Sequence, residues 1–222
     1  MLIYPVISVS TARAAGLMAA QAFAQPVAGV FLINHDADDE LLFDALDVVR
    51  AAHPDRFVGV NVIRRPYAES LAALAGRYGA RPPVSALWCD RIDFDADPPE
   101  DGSFEGELPL HFGGVAFKYQ APVALEELPQ LARAAAGVVD VVTTSGPGTG
   151  QAADLAKLRA MRAGMGSFPL ALASGVTPEN ATEYAGLVDH VLVSTGISDG
   201  AGGIDPDRLA ALLQVGRRTE ES

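Results

Sequence analysis

Short β-branched apolar runs recur along the chain, with helix-length segments between them. The pattern predicts strands over Ile3–Val9, Val27–Ile33, Phe57–Val62, Val84–Trp88, Gly114–Tyr119, Val139–Thr143, Leu170–Ala173 and His190–Ser194. Their starts lie about 20 to 30 residues apart, the length of a strand plus a crossover helix. The runs are apolar at successive positions, as expected of parallel strands covered on both faces.

The intervening segments carry helix signals. Thr11–Ala24 is alanine-rich and follows Ser10, a candidate N-cap. Glu40–Ala52 places Leu41, Leu42, Ala45, Val48 and Val49 on one face and stops before Pro54. Tyr67–Tyr78 is bracketed by Pro66 and Gly79, Leu125–Ala136 ends at Gly137, and Asp154–Ala163 ends at Gly164. Thr177–Pro178 predicts a helix to about Gly186, and Asp205–Pro206 a last one to about Val215. One stretch departs from the rhythm. Residues 90–112 are acidic and proline-containing, with no amphipathic helical face, so a long loop or short irregular helix is expected there.

Eight alternating βα units without a composition break predict an α/β fold, a closed (β/α)8 TIM barrel with an irregular fourth unit. An open doubly wound sheet is the alternative, but no glycine-rich dinucleotide fingerprint follows the first strand. The barrel domain is expected to span 1–216, with a frayed polar tail over 217–222.

In such a barrel the chemistry gathers at the C-terminal ends of the strands. Those positions hold Ser8, Asn34, His35, Asp36, Asn61, Arg64, Cys89, Asp90 and Lys118. The last three loops are rich in glycine and hydroxyls: Thr144–Gly150, Ser174–Thr177 and Ser194–Ser198. Glycine lets backbone N–H groups approach an anion closely, so Ser145, Gly146, Gly148, Ser174, Gly175, Ser194, Thr195 and Gly196 are candidate phosphate ligands. Lys118 is the leading catalytic candidate, as a phosphate or carboxylate partner, a general acid or a Schiff-base former. Asp36 and Asp90 are candidate bases, and Asn61 is a further catalytic candidate. Asn34, Arg64 and Thr144 are candidate substrate contacts.

Composition narrows the field. The chain has 222 residues, 16 basic and 28 acidic, for a net charge of −12. That balance excludes a broad basic face for nucleic acid, but not a small phosphate pocket built from amides and hydroxyls. No apolar run is long enough to span a membrane. A single cysteine, Cys89, precludes an intrachain disulfide and fits a cytoplasmic setting. No motif calls for a cofactor or a metal. Asp93, Asp95 and Asp97 alternate as in a calcium loop, but the expected glycine and terminal glutamate are missing. The expected partner is a small phosphorylated metabolite, and a homodimer is open to it.

The pieces VDVVTTSGPGTGQAADLAKLRAM, PLALASGVTPEN and DHVLVSTGIS resemble the C-terminal half of the BtpA family, named for a photosystem I biogenesis protein. GVFLINHDAD, VGVNVIRR and FKYQAP are similar in layout to its N-terminal half. The resemblance implies a phosphate-binding TIM barrel, with either an enzyme of phosphorylated sugars or nucleotides or a non-catalytic assembly factor as its role. For the enzyme, isomerase, lyase and phosphoribosyl or nucleosidase chemistry stay open. ASGVTPEN also resembles phosphoribosylanthranilate isomerase, which implies a phosphate site at Gly175, Ser194 and Gly196. That family's catalytic cysteine and aspartate are absent, since the first strand reads VISVS and the fifth carries Lys118. VVDVVTTSG is similar to the phosphoribosyl-pyrophosphate loop of purine phosphoribosyltransferases, but has only Asp140 where that loop has two adjacent acids.

Overall fold

The computed structural model describes residues 1–95 and 105–218. Eight parallel strands pair in sequence order and close on themselves: β1 Leu2–Ser8, β2 Val30–Ile33, β3 Val58–Asn61, β4 Ala86–Cys89, β5 Leu110–Gly114, β6 Val141–Thr144, β7 Leu170–Ala173 and β8 His190–Val193. Closure is made by β1 against β8, with Tyr4 opposite Leu192. The helices are α1 Ala12–Phe23, α2 Asp39–Ala52, α3 Tyr67–Tyr78, α4 Leu128–Ala135, α5 Leu155–Met165 and α6 Pro206–Arg218. The expected (β/α)8 barrel is the fold. No described residue between β4 and β5 is helical, and 96–104 of the expected loop lie outside the described residues.

Alternation along each strand splits the core in two. Outward residues such as Ile3, Leu32, Val60, Leu87 and Val191 pack under the helices. Inward residues fill the barrel with an aromatic cluster of Tyr4, Phe31, Trp88 and Phe112. Phe31 meets Phe112 edge-on with centroids 5.2 Å apart. Gly59 makes room for it, since a Cβ there would lie 2.2 Å from the Phe31 ring.

Several expected boundaries shift for local reasons. The fifth strand lies over Leu110–Gly114 rather than Gly114–Tyr119. Beyond Gly114 the chain turns outward through Ala116 and Tyr119, both at positive φ, and the Gln120 side chain accepts from the Phe117 N–H. These bonds turn the segment FKY into a loop despite its β-prone residues. The N-cap of α1 is Thr11, whose hydroxyl accepts from the Ala14 N–H at 3.1 Å, rather than Ser10. Helix α5 runs through Gly164 to Met165, because that glycine is where α5 lies against α4: a Cβ would sit 1.9 Å from the Pro129 carbonyl oxygen. The helix expected after Thr177 shrinks to a 3-10 turn over Ala181–Tyr184. There the Asn180 side chain takes the Thr177 N–H and donates to the Gly175 carbonyl, competing with helical bonding. Of the expected tail, 217–218 belong to α6 and 219–222 lie outside the described residues. Asp97 of the acidic run lies outside them too.

Candidate functional site

Three loops interlock at one side of the barrel mouth. Ser174 (φ 96°) and Gly175 (φ 78°) follow β7 with backbone that L side chains rarely adopt. Ser174 Oγ accepts from the Gly150 N–H at 2.9 Å and donates to the Gly148 carbonyl at 3.2 Å, fastening the β7 loop to the β6 loop. A Cβ at Gly175 would lie 1.9 Å from the Gln151 carbonyl oxygen, and one at Gly146 would lie 2.1 Å from the same atom. At Gly196, after β8, a Cβ would lie 1.9 Å from the Val176 carbonyl oxygen. Arg208 of α6 bonds the Gly196 carbonyl at 2.9 Å and grips Glu179 through both η nitrogens at 3.0 Å. The loops are thus held from several directions. The N–H groups of Gly175, Thr195 and Gly196 nonetheless have no acceptor among the described residues.

The other wall is built on β3, β4 and the β5 loop. Asp90 follows β4, and its Oδ1 accepts from Asn61 Nδ2 at 3.0 Å. Gln120 Nε2 donates to the Asp90 and Gly114 carbonyls, at 2.7 and 3.3 Å. Burial raises the Asp90 pKa above the ordinary carboxylate range, while the Asn61 hydrogen bond and the charges of Lys118 and His35 oppose the rise. The Lys118 N–H donates to Ser145 Oγ at 2.7 Å, and its Nζ lies 3.4 Å from Thr149 Oγ1. Beneath that loop Lys157, in the first turn of α5, donates to the carbonyls of Ala116 at 2.5 Å and Ser145 at 2.8 Å. Burial pulls the Lys157 pKa down to about 8. Sequence reasoning passed over Lys157. The available signal was a second lysine, in a chain with only two, just after the glycine-rich loop.

Between the walls opens a cavity of about 610 Å³, within the usual range for small-molecule sites. Its floor includes Val6, Ile33, Trp88, Ala173 and Leu192. Among the described residues, Arg64, Arg65, Arg91 and Lys118 line it, with His35, and Asp90 is the one carboxylate. Among the described residues, four basic side chains therefore meet one acidic one here, the reverse of the chain's overall balance.

Of the residues expected at the site, Lys118, Asp90, Arg64, Ser174, Gly175, Ser194, Thr195 and Gly196 share this cavity. Asn61 is buried one step behind, on Asp90. The others lie outside the lining. Asn34 is buried, donates to the Val9 carbonyl and accepts from the Asp38 N–H, tying the first two loops together. Asp36 is exposed. Thr144 Oγ1 faces the Ala116 carbonyl at 3.4 Å, and Ser145 Oγ donates to the Gly146 carbonyl. Ser145, Gly146 and Gly148 shape the loops around the cavity. Lys118 comes from the β5 loop and not from the strand. Cys89 is buried, and burial pushes its thiol up to about 12, away from thiolate chemistry. Among the described residues no three His, Cys, Asp or Glu side chains are grouped to hold a metal. Nor is any helix there long and apolar enough to cross a membrane.

No family model and no curated protein matches the chain, so sequence comparison does not establish membership of the BtpA family. Solved structures do match in fold. Native KDPGal is similar over 100% of this chain and 97% of its own, with a TM-score of 0.72 at 14% identity. (S)-3-O-geranylgeranylglyceryl phosphate synthase from Thermoplasma acidophilum, in complex with sn-glycerol-1-phosphate, covers 98% of this chain and 93% of its own (TM-score 0.69, 13% identity). Phosphoribosyl anthranilate isomerase from Thermus thermophilus covers 98% and 99% (TM-score 0.64, 15% identity). At these identities the likeness is one of fold: this chain is a TIM barrel.

Proposed function

We propose that the protein is an enzyme acting on a small phosphorylated, sugar-like metabolite. One observation carries the reading: a strongly acidic chain lines one barrel-mouth cavity with basic side chains and unpaired peptide N–H groups. The phosphate sits against the N–H groups of Gly175, Thr195 and Gly196, with the Ser174 and Ser194 hydroxyls at the edge. Such loops after the seventh and eighth strands are a recurrent phosphate site in barrels. The sn-glycerol-1-phosphate bound by one similar structure is in keeping with this.

Asp90 and Lys118 do the proton chemistry. The partly buried Asp90 carboxyl, positioned by Asn61, takes up and returns a proton closer to neutrality than a solvated aspartate does. Lys118 supplies a cation to an oxygen that gains charge in the reaction. Thr149 and the exposed Tyr119 border the Lys118 ammonium. The test is a thermal-shift screen of phosphorylated metabolites, followed by turnover assays on those that stabilise the protein. A ligand at 100 times its Kd raises stability by about 2.7 kcal/mol. Stabilisation by phosphate esters but not by their dephosphorylated counterparts supports the reading, and no shift across the panel sinks it.

A further inference from the structure

The phosphate reading leaves half of the cavity's charge unused, and the inference here rests on that reading. In a closed barrel of eight strands in sequence order, β3 and β4 stand across the axis from β7 and β8. Arg64 follows β3 and Arg91 follows β4. Both line the same cavity as the three unpaired N–H groups, but on the opposite rim. Neither has an ion pair or hydrogen bond among the described residues. Arg65, next to Arg64 in the chain, is already taken by an ion pair with Asp39. Arg64 also holds left-handed backbone (φ 67°), a conformation that a residue with a side chain adopts only at a cost.

A census of donors and acceptors points the same way. Among the described residues the cavity lining offers three peptide N–H groups, an ammonium and two unpaired guanidiniums, against the single carboxylate of Asp90. A ligand that satisfies this surface is rich in acceptors and negative at both ends. A phosphate monoester with a neutral tail would leave two guanidiniums facing that tail.

We propose that the substrate carries a second oxyanion, a carboxylate or a second phosphate, held by Arg64 and Arg91 at the end away from its phosphate ester. Guanidinium presents paired N–H donors that match either oxyanion.

Calorimetric titration at fixed ionic strength tests this at two chain lengths. The three-carbon set is glycerol 3-phosphate, 3-phosphoglycerate and propane-1,3-diol bisphosphate. The five-carbon set is arabinitol 5-phosphate, arabinonate 5-phosphate and arabinitol 1,5-bisphosphate. At one length at least, a two-ended ligand should bind about tenfold or more tighter than its singly charged partner. Whichever two-ended ligand gains identifies the oxyanion. In the Arg64→Gln/Arg91→Gln double variant the gap should close to within about twofold. Each single variant should close part of it, which keeps the test available if the double variant folds poorly. Equal binding within both sets, or a gap that survives in the variants, overturns the second subsite and leaves the phosphate reading standing. Failure of every phosphate ester to bind overturns the phosphate reading, and this inference with it.

Discussion

Lys157 Nζ donates to the carbonyl of Ala116 at 2.5 Å, so a half-buried ammonium on α5 holds the loop that presents Lys118. The same ammonium holds the Ser145 carbonyl, and Ser145 Oγ in turn accepts from the Lys118 N–H. Two loops are braced by one cation from beneath. Replacing it leaves the Ser145 carbonyl without a donor and the Ala116 carbonyl with only the Thr144 hydroxyl at 3.4 Å, at about 1–3 kcal/mol for a buried unsatisfied group. Lys157→Met should destabilise the protein measurably in urea and weaken ligand binding without touching the cavity lining.

That lysine also sets a pH dependence. Its folded pKa, about 8, lies below the ordinary lysine value, so between the two the unfolded chain binds more protons. Lys157 therefore contributes a stability that rises with pH from about 8 upward and is lost as pH falls back through that range. Melting temperatures of the wild type and Lys157→Met across this window should show the rise in the first and its absence in the second.

His111 gives the matching effect in acid. It stacks on Tyr67 with centroids 4.3 Å apart, and burial lowers its pKa to about 4. His190 shifts in the same direction for the same reason. Both remain neutral in the folded protein where the unfolded chain would protonate them. Stability should fall as pH drops from about 6.5 toward 4. His111→Phe preserves the stack and should remove part of that loss, the remainder belonging to His190; an unchanged acid profile would refute the assignment.

Asn61 and Asp90 form a pair whose effect can be read directly. The Asn61 hydrogen bond favours the ionised carboxylate, so Asn61→Leu should raise the Asp90 pKa further. A carboxyl-detected chemical-shift titration measures this without an assay. Once a substrate is known, the acid limb of its pH–rate profile should move upward with the same variant. Asp90→Asn should cost about 10²–10⁴ in rate.

Gly175 and Gly196 leave no space for a methyl group. Gly175→Ala places a Cβ against the Gln151 carbonyl and forces alanine into positive φ, while Gly196→Ala meets the Val176 carbonyl at a φ that alanine tolerates. Both should abolish phosphate-ester binding by displacing the loops, and Gly175→Ala should also lower stability by more than about 1 kcal/mol. Denaturant midpoints and titrations separate the two effects.

The repeating apolar runs were enough to read the barrel, because parallel strands buried on both faces are marked at every position, as in LALA of β7. Tyr67–Tyr78 was legible to its ends, since Pro66 and Gly79 stop the helix locally. Where tertiary contacts decide, the reading drifted. FKYQ is β-prone alone, yet Gln120 folds it back on Phe117 and Gly114. Gly164 looks like a stop but serves as a contact with α4. At the site, the clustering of loop glycines was visible, whereas the side of the strand from which each residue points was not. Asn34 and Asn61 read alike in the chain. One lies on backbone groups at the barrel's outer layer, and the other on Asp90 at its mouth. Arg91 was missed as a cavity residue because nothing local to it marks an unpaired donor.

The three peptide N–H groups that crown the β7 and β8 loops do not ionise in the range where proteins fold. That rim is silent to titration. Anion capture there keeps its strength across pH, apart from the second ionisation of the phosphate itself near pH 6. The opposite side, where burial raises the Asp90 carboxyl, is the part of the cavity that answers to protons. The barrel mouth thus separates two tasks: one rim anchors at constant strength, and the other can change its charge while the ligand stays in place.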